Sequence, residues 1–311
     1  MRTRKLGDTG IEVSEIGVGA MQFGAANWRG PETEECVAII DEAIRLGATF
    51  IDTAPAYAGG RSEEILGLAL EGRRDQVVLC TKFGVWPDTI DFSADRIEES
   101  VEASLRRLRT DYLDVLLVHS PPSDVMDGTS APHYRVLQRL KDSGVIRAYG
   151  VSGRDDTAAE IRMIAETTGS QAIEMRFNAL YQEPAAAFEQ AAKSGVGLII
   201  KVPLESGWLS GKYAATSVFD EARSRWSAED IARRARLVEE FQALLPAGVS
   251  TAPAALSHIL AQPEVSTVAP GTKSLAQLRE NVAAADVVLP DDTLAALRAL
   301  GSTHADNRLP W

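Results

Sequence analysis

Eight short apolar runs recur along the chain, at 15–20, 48–52, 76–82, 113–119, 146–152, 171–175, 196–202 and 265–271, each rich in Val, Ile or Leu. A strand with one wet face alternates apolar and polar residues. These runs are apolar throughout, which suits strands of a parallel sheet covered on both faces. Helix-period segments separate them. In 32–46 (ETEECVAIIDEAIRL) Val37, Ile40 and Ile44 fall on one stripe, and Gly47 supplies the stop. Segments 61–70, 93–108, 131–143, 155–168, 183–194, 251–261 and 274–285 read the same way, with Ser93 as an N-cap for 93–108. Strand then helix, eight times over, predicts an α/β protein of the (β/α)8 TIM-barrel class; a doubly wound sheet is the runner-up. Asp8-Thr9-Gly10 predicts an N-terminal hairpin placed to plug the barrel floor. Residues 203–250 break the repeat, with a loop at 203–226 and an extra helix at 227–245; a further helix is expected at the C-terminus. With no linker, low-complexity tract or internal repeat, 1–311 is expected to be one domain.

Composition changes this picture little: 45% hydrophobic and 24% charged residues are ordinary for a globular chain. The net charge of −12, from 32 basic and 44 acidic residues, argues against nucleic acid or an anionic membrane as partner. An anionic ligand held by a few local cations stays open. Cys36 and Cys80 lie far apart in apolar segments and read as reduced core thiols, which suits a reducing cytoplasm. MRTRKLGDTG lacks the apolar core of a secretory signal, and no apolar run reaches ~18 residues.

Two apparent motifs fail on inspection. Gly211-Lys212 would need Gly at Ser206 and Ser or Thr at Tyr213 to form a P-loop. Gly17-Val18-Gly19 is followed by Gln22 where a dinucleotide fingerprint needs glycine. His119, His133, His258 and His304 have no zinc-ligand spacing, so no metal is expected.

Chemistry concentrates at strand ends. A (β/α)8 barrel builds its site at the C-terminal ends of its strands. Here the second run ends on Asp52, the third on Lys82 and the fourth on His119, with Tyr57 in the loop after Asp52. Each alone has an ordinary reading, as a turn acid, a surface lysine or a core histidine. Together they predict one proton-transfer site. A neighbouring ammonium favours the phenolate, so Lys82, steadied by Asp52, is expected to bring the Tyr57 pKa down towards neutrality.

The stretches LGDTGIEVSEIGVGAMQFG, FIDTAPAYAGGRSEEILGLAL, VLCTKFG, SLRRLRTDYLDVLLVHSP, LKDSGVIRAYGVS, PLESGWLSGKY and PGTKSLAQLRENVAA, in this order and spacing, resemble the aldo-keto reductases. The resemblance runs from about residue 4 to residue 290 and is to bacterial-type members. It implies that Asp52, Tyr57, Lys82 and His119 form the catalytic tetrad, with Tyr57 as general acid in carbonyl reduction and base in alcohol or lactol oxidation. It implies NADPH or NADP as cofactor, NAD being the lesser alternative. Ser152 would hold the nicotinamide carboxamide. Gly153 stands where the family often has Asn, and Glu174 where it usually has Gln. Lys201 aligns with an aromatic that commonly stacks on the nicotinamide, with Pro203, Leu204 and Gly207 following. A cation there would disfavour the oxidised ring, so Lys201 is expected to bias binding towards NADPH. Gly271, Thr272, Lys273 and Ser274 open a helix suited to phosphate, Lys273 and Ser274 taking the 2′-phosphate; Gln277, Glu280 and Asn281 would meet the adenosine, with Arg279 as a second cation. Trp28 and Trp86 are candidate walls for a carbonyl or sugar-like substrate, with Trp208, Trp226 and Trp311 less legible. Two other readings compete: a barrel lyase forming a Schiff base on Lys82, and a low-turnover NADPH-binding sensor or assembly subunit. Oligomeric state is open.

Overall fold

A computed structural model describes residues 1–86, 88–220 and 223–303. Eight parallel strands form one sheet: β3 (Val18–Gly19), β4 (Phe50–Asp52), β5 (Val78–Phe83), β6 (Leu113–His119), β7 (Ile146–Ser152), β8 (Ala172–Arg176), β9 (Gly197–Lys201) and β10 (Val265–Val268). Neighbours in space are neighbours in sequence throughout. Parallel bridges Ile16↔Val268 and Gly19↔Gly271 join the first strand to the last and close the sheet into a barrel. The barrel expected from the eight runs is therefore formed, although β3 and β10 are shorter than their apolar runs.

An antiparallel hairpin, β1 (Thr3–Lys5) with β2 (Glu12–Ser14), precedes the barrel. Its turn carries Leu6 and Ile11, and these pack with Val13, Phe50, Cys80, Val115, Leu117, Ala148, Ala172 and Ile199 into a core of their own. Successive strand residues face opposite ways, so this set defines the inward parity of each strand. Hence the hairpin is the floor plug. The larger apolar cluster lies on the outward parity, where Ile51, Leu79, Leu116 and Ile173 meet α1 (Thr33–Leu46), α2 (Arg61–Ala69), α3 (Ile97–Leu108) and the helices that follow.

Boundaries follow local chemistry. Gly47 ends α1 with φ 77°, a left-handed position that costs glycine nothing. Ser93 does not cap α3. Its hydroxyl donates to Asp91 Oδ1 (2.5 Å), and a 3₁₀ turn at Ala94–Arg96 intervenes. The extra helix after β9 is α8 (Ala228–Ala243), opened by a capping box in which Ser227 and Asp230 satisfy each other's backbone N–H. With α11 (Asp291–Thr303) and the buried Trp208 it builds a second apolar cluster beside the barrel. No helix among the described residues is long and apolar enough to cross a membrane.

Candidate active site

The inward parity that carries the floor plug continues two residues further along each strand into polar side chains. Beyond Phe50 comes Asp52, beyond Cys80 Lys82, beyond Leu117 His119, beyond Gly150 Ser152, beyond Ala172 Glu174 and beyond Ile199 Lys201. One apolar layer supports one polar layer at the C-terminal mouth. The period of two that excludes water from the floor thus aims these six residues at one another.

Lys82 is 1% exposed and donates to the Asp52 carboxylate and to the Thr53 carbonyl (3.0 Å); Glu174 Oε1 stands 3.6 Å away. Burial opposes its ammonium, but the charges of Asp52 and Glu174 prevail and hold its pKa well above the ordinary lysine value. Burial and the Glu174 charge raise Asp52 to about 7, against the pull of Lys82. Tyr57 lies on a 3₁₀ turn just past β4, its ring centroid 5.3 Å from Lys82 Nζ and 6.0 Å from the His119 ring, edge to face at 90°. The expected net lowering of the phenol is overturned: burial pushes Tyr57 above its ordinary pKa, and Lys82 offsets only part of this, with Asp52 and Glu174 acting against it. The phenol is thus held as a protonated donor. His119 is pushed well below its ordinary value by burial and then by Lys82 and Lys201, so the imidazole is neutral.

A cleft of about 410 Å³ runs from this mouth towards the start of α10 (Leu275–Ala283). Asp52, Tyr57, His119, Ser152, Glu174 and Lys201 line one end, and Gly271, Lys273, Gln277, Glu280 and Asn281 the other, with Pro203, Leu204, Gly207 and Trp28 between. Lys82 lies behind that wall. Gly153, Thr272 and Ser274 are not among the lining residues. Gly153 accepts from Lys201 and Ser120 through its carbonyl, Thr272 bonds Pro270 and Asn281, and Ser274 caps α10 through Gln277 N. Trp86 also falls outside the cleft, stacked under Arg96 at 5.0 Å. Trp208 is fully buried with Tyr213, Phe219 and Trp226 in an aromatic cluster, which makes both loop tryptophans packing residues. Trp311 lies outside the described residues.

Two cation readings change. Lys201 reaches Gly153 O (2.6 Å), Ser152 Oγ (3.2 Å) and Asp156 Oδ1 (3.3 Å), so its charge is matched by a carboxylate. Arg279 turns outward to Glu42 on α1 (2.9 Å) and leaves Lys273 as the basic residue of that segment facing the cleft. Lys273 itself donates to Trp28 O (2.8 Å) and Arg29 O (3.3 Å), tying the β10 loop to the β3 loop.

Sequence reasoning missed Lys212 and Arg223, which also line the cleft, Arg223 with its guanidinium 4.8 Å from the Trp28 ring. Lys212 sits in irregular backbone and Arg223 in a short 3₁₀ turn, where no periodicity marks a facing. It also missed the support beneath the β9 loop. Glu205, 1% exposed, accepts from the single nitrogen Arg176 Nη2 on both carboxylate oxygens (2.9 and 2.8 Å) and from Asn178 Nδ2 (2.8 Å). The signal available was an acid and an arginine inside otherwise apolar segments.

The chain matches the aldo/keto reductase family model over residues 15–302. It belongs to that family. An uncharacterized oxidoreductase of Bacillus subtilis is 32% identical over 96% of both chains. The NADH-specific methylglyoxal reductase of Escherichia coli is 31% identical, covering 96% of this chain and 98% of its own. Among solved structures, the holo form of a Bacillus halodurans aldo-keto reductase superposes with a TM-score of 0.80 at 29% identity, over 96% of each chain. The protein is therefore an aldo-keto reductase family oxidoreductase, of a family that uses a nicotinamide cofactor and acts on small carbonyl substrates.

Proposed function

We propose that this aldo-keto reductase interconverts an aldehyde or ketone, including sugar-like ones, with the corresponding alcohol or lactol, using Tyr57 as proton donor and NADP(H) as cofactor. The observation that carries it is the protonated Tyr57 phenol held between buried Lys82 and neutral His119 at the end of a cleft long enough to continue to α10.

The residues present fit a nicotinamide. Both Glu174 carboxylate oxygens are buried without a hydrogen-bond donor, and Glu174 and its strand-register partner Ser152 both line the cleft. A carboxamide NH2 is a donor of the kind they lack. Lys212, Arg223 and Lys273 offer cations along the cleft for phosphates. When bound, the nicotinamide supplies or accepts the hydride. What the chain does is proton work: Tyr57 gives its proton to the carbonyl oxygen, and Lys82 beside it stabilises the phenolate left behind. His119, neutral, can hydrogen-bond that same oxygen without adding charge. Asp52 holds Lys82 in place through a direct hydrogen bond. In the oxidation direction Tyr57 takes the alcohol proton back.

The NADP preference rests on Lys273, since Arg279 is engaged elsewhere. A Schiff base on Lys82 is disfavoured, because the amine is held as an ammonium under two carboxyls. Nor does a low-turnover sensor need a protonated phenol at the mouth. A reducing cytoplasm belongs to the same reading, supported by the buried free thiols Cys36 and Cys80.

The test is reductase turnover over aldehydes, ketones and sugars with NADPH and NADH, wild type against Tyr57→Phe. Turnover should fall by about 10²–10⁴-fold, the usual worth of a positioned acid, while the cofactor dissociation constant stays put. Equal turnover by both proteins would remove Tyr57 from the mechanism, and faster turnover with NADH would reassign the cofactor.

A further inference from the structure

The charges at the barrel mouth do not cancel. Asp52 and Glu174 share one ammonium, Lys82, which hydrogen-bonds Asp52 and the Thr53 carbonyl and only stands near Glu174, at 3.6 Å. Glu174 is 1% exposed, neither of its oxygens receives a hydrogen bond, and it lines the cleft. On the neighbouring strand Lys201 is paired with Asp156 at 3.3 Å and donates to Ser152 and Gly153 rather than to Glu174. With Asp52 raised to about 7 by burial and by the Glu174 charge, the mouth at neutral pH still carries more carboxylate charge than its one ammonium matches, and Glu174 presents it to whatever enters.

A buried charge keeps its polar partners or attracts an opposite charge; left alone it is costly. The acceptor capacity of Glu174 could be met equally by the amide of a glutamine, whose shape is nearly the same. What only the carboxylate adds is a negative charge next to the ligand.

We propose that Glu174 selects the oxidation state of the cofactor. It favours the oxidised nicotinamide, whose ring is a cation, over the neutral reduced form. This deepens the nicotinamide reading above and rests on it. At equal concentrations of the two forms the protein fills with the oxidised one, the form that accepts a hydride from an alcohol. The bias is opposite to the one expected from Lys201 in the sequence, because Lys201 is paired with Asp156 in the fold while neither Glu174 oxygen receives a hydrogen bond.

The experiment is direct titration of the protein with the oxidised and reduced cofactor separately, for wild type, Glu174→Gln and Glu174→Asp, with no substrate present. At an effective dielectric near 20, removing a unit charge several ångströms from a cationic ring is worth about tenfold or more. The ratio of dissociation constants, reduced over oxidised, should fall about tenfold in Glu174→Gln and stay near the wild-type value in Glu174→Asp. An unchanged ratio in Glu174→Gln overturns the proposal. So does an equal shift in both variants, since shape rather than charge would then be responsible. A wild type that binds neither NADP nor NAD in either form would instead overturn the cofactor reading beneath it.

Discussion

At the scale of single residues, the mouth is governed by how few charges are shared by how many groups. Lys82 is the ammonium beside Asp52, Glu174 and Tyr57, and the pKa directions of these side chains and of Lys82 itself, where resolved, trace to burial and to that sharing. Removing it leaves the buried Asp52 and Glu174 carboxyls without their cation. Lys82→Met should therefore lower unfolding stability by about 3–5 kcal/mol, the usual cost of breaking a buried pair from one side, read as a drop in the urea midpoint at unchanged slope. A loss under 1 kcal/mol would mean that the carboxyls take up protons at little cost. The residue types of this site were legible in the sequence, because Asp52, Lys82 and His119 stand at the ends of apolar runs. The pKa of Tyr57 was not legible. A sequence shows that an ammonium is near but not how much water is removed, and here the loss of water outweighs the ammonium.

At the scale of elements, the strand ends needed scaffolding that has no periodic signature. Just past Lys201 the chain turns sharply, with Val202 at φ 52°, a strained position for a β-branched residue, and Glu205 and Ser206 also left-handed. Asn178 Nδ2 holds the Val202 carbonyl (3.1 Å), while Arg176 and Asn178 hold the Glu205 carboxylate from the end of β8. Glu205 is the anchor of that turn, and Arg234 Nη2 on α8 approaches it to 3.8 Å. Glu205→Ala should cost about 3–5 kcal/mol, measured by chemical denaturation, and should weaken cofactor binding as the loop carrying Pro203 and Gly207 loosens. Retention of both would show that the arginines find other partners. Close strand contact likewise explains Gly150: a Cβ there would sit 1.7 Å from the Ala172 carbonyl oxygen of β8.

At the scale of the whole molecule, burial of titratable groups sets how stability responds to pH. His258 on α9 (Thr251–Leu260) is fully buried against Phe177, and burial, then Arg298, lowers its pKa to about 4. The unfolded chain takes up this proton near pH 6.5 and the folded chain only near pH 4. Its contribution is thus complete above pH 6.5 and is lost as pH falls through that window. The loss amounts to about 3 kcal/mol. Asp52, raised to about 7, acts in the opposite sense over the same range, binding its proton more readily when folded. Comparing wild type with His258→Leu at pH 7 and at pH 4 cancels the Asp52 contribution. Wild type should lose about 3 kcal/mol more than the variant on acidification; equal losses would place the acid sensitivity elsewhere.

Much of the architecture was written in local pattern. Both-sided apolar runs report strands covered by helices, and their strict alternation with helix-period segments leaves few topologies beyond the closed barrel that formed. Because strand side chains alternate strictly, the ends of those runs also marked Asp52, Lys82 and His119 as neighbours. Packing across the sheet decided the rest. Glu42 on another helix drew Arg279 out of the cleft, Asp156 paired with Lys201, and Lys212 and Arg223 were carried over the cleft by a loop without period. These outcomes depend on which long side chains meet across separate elements, and the range of a charged partner in space has no counterpart in distance along the chain.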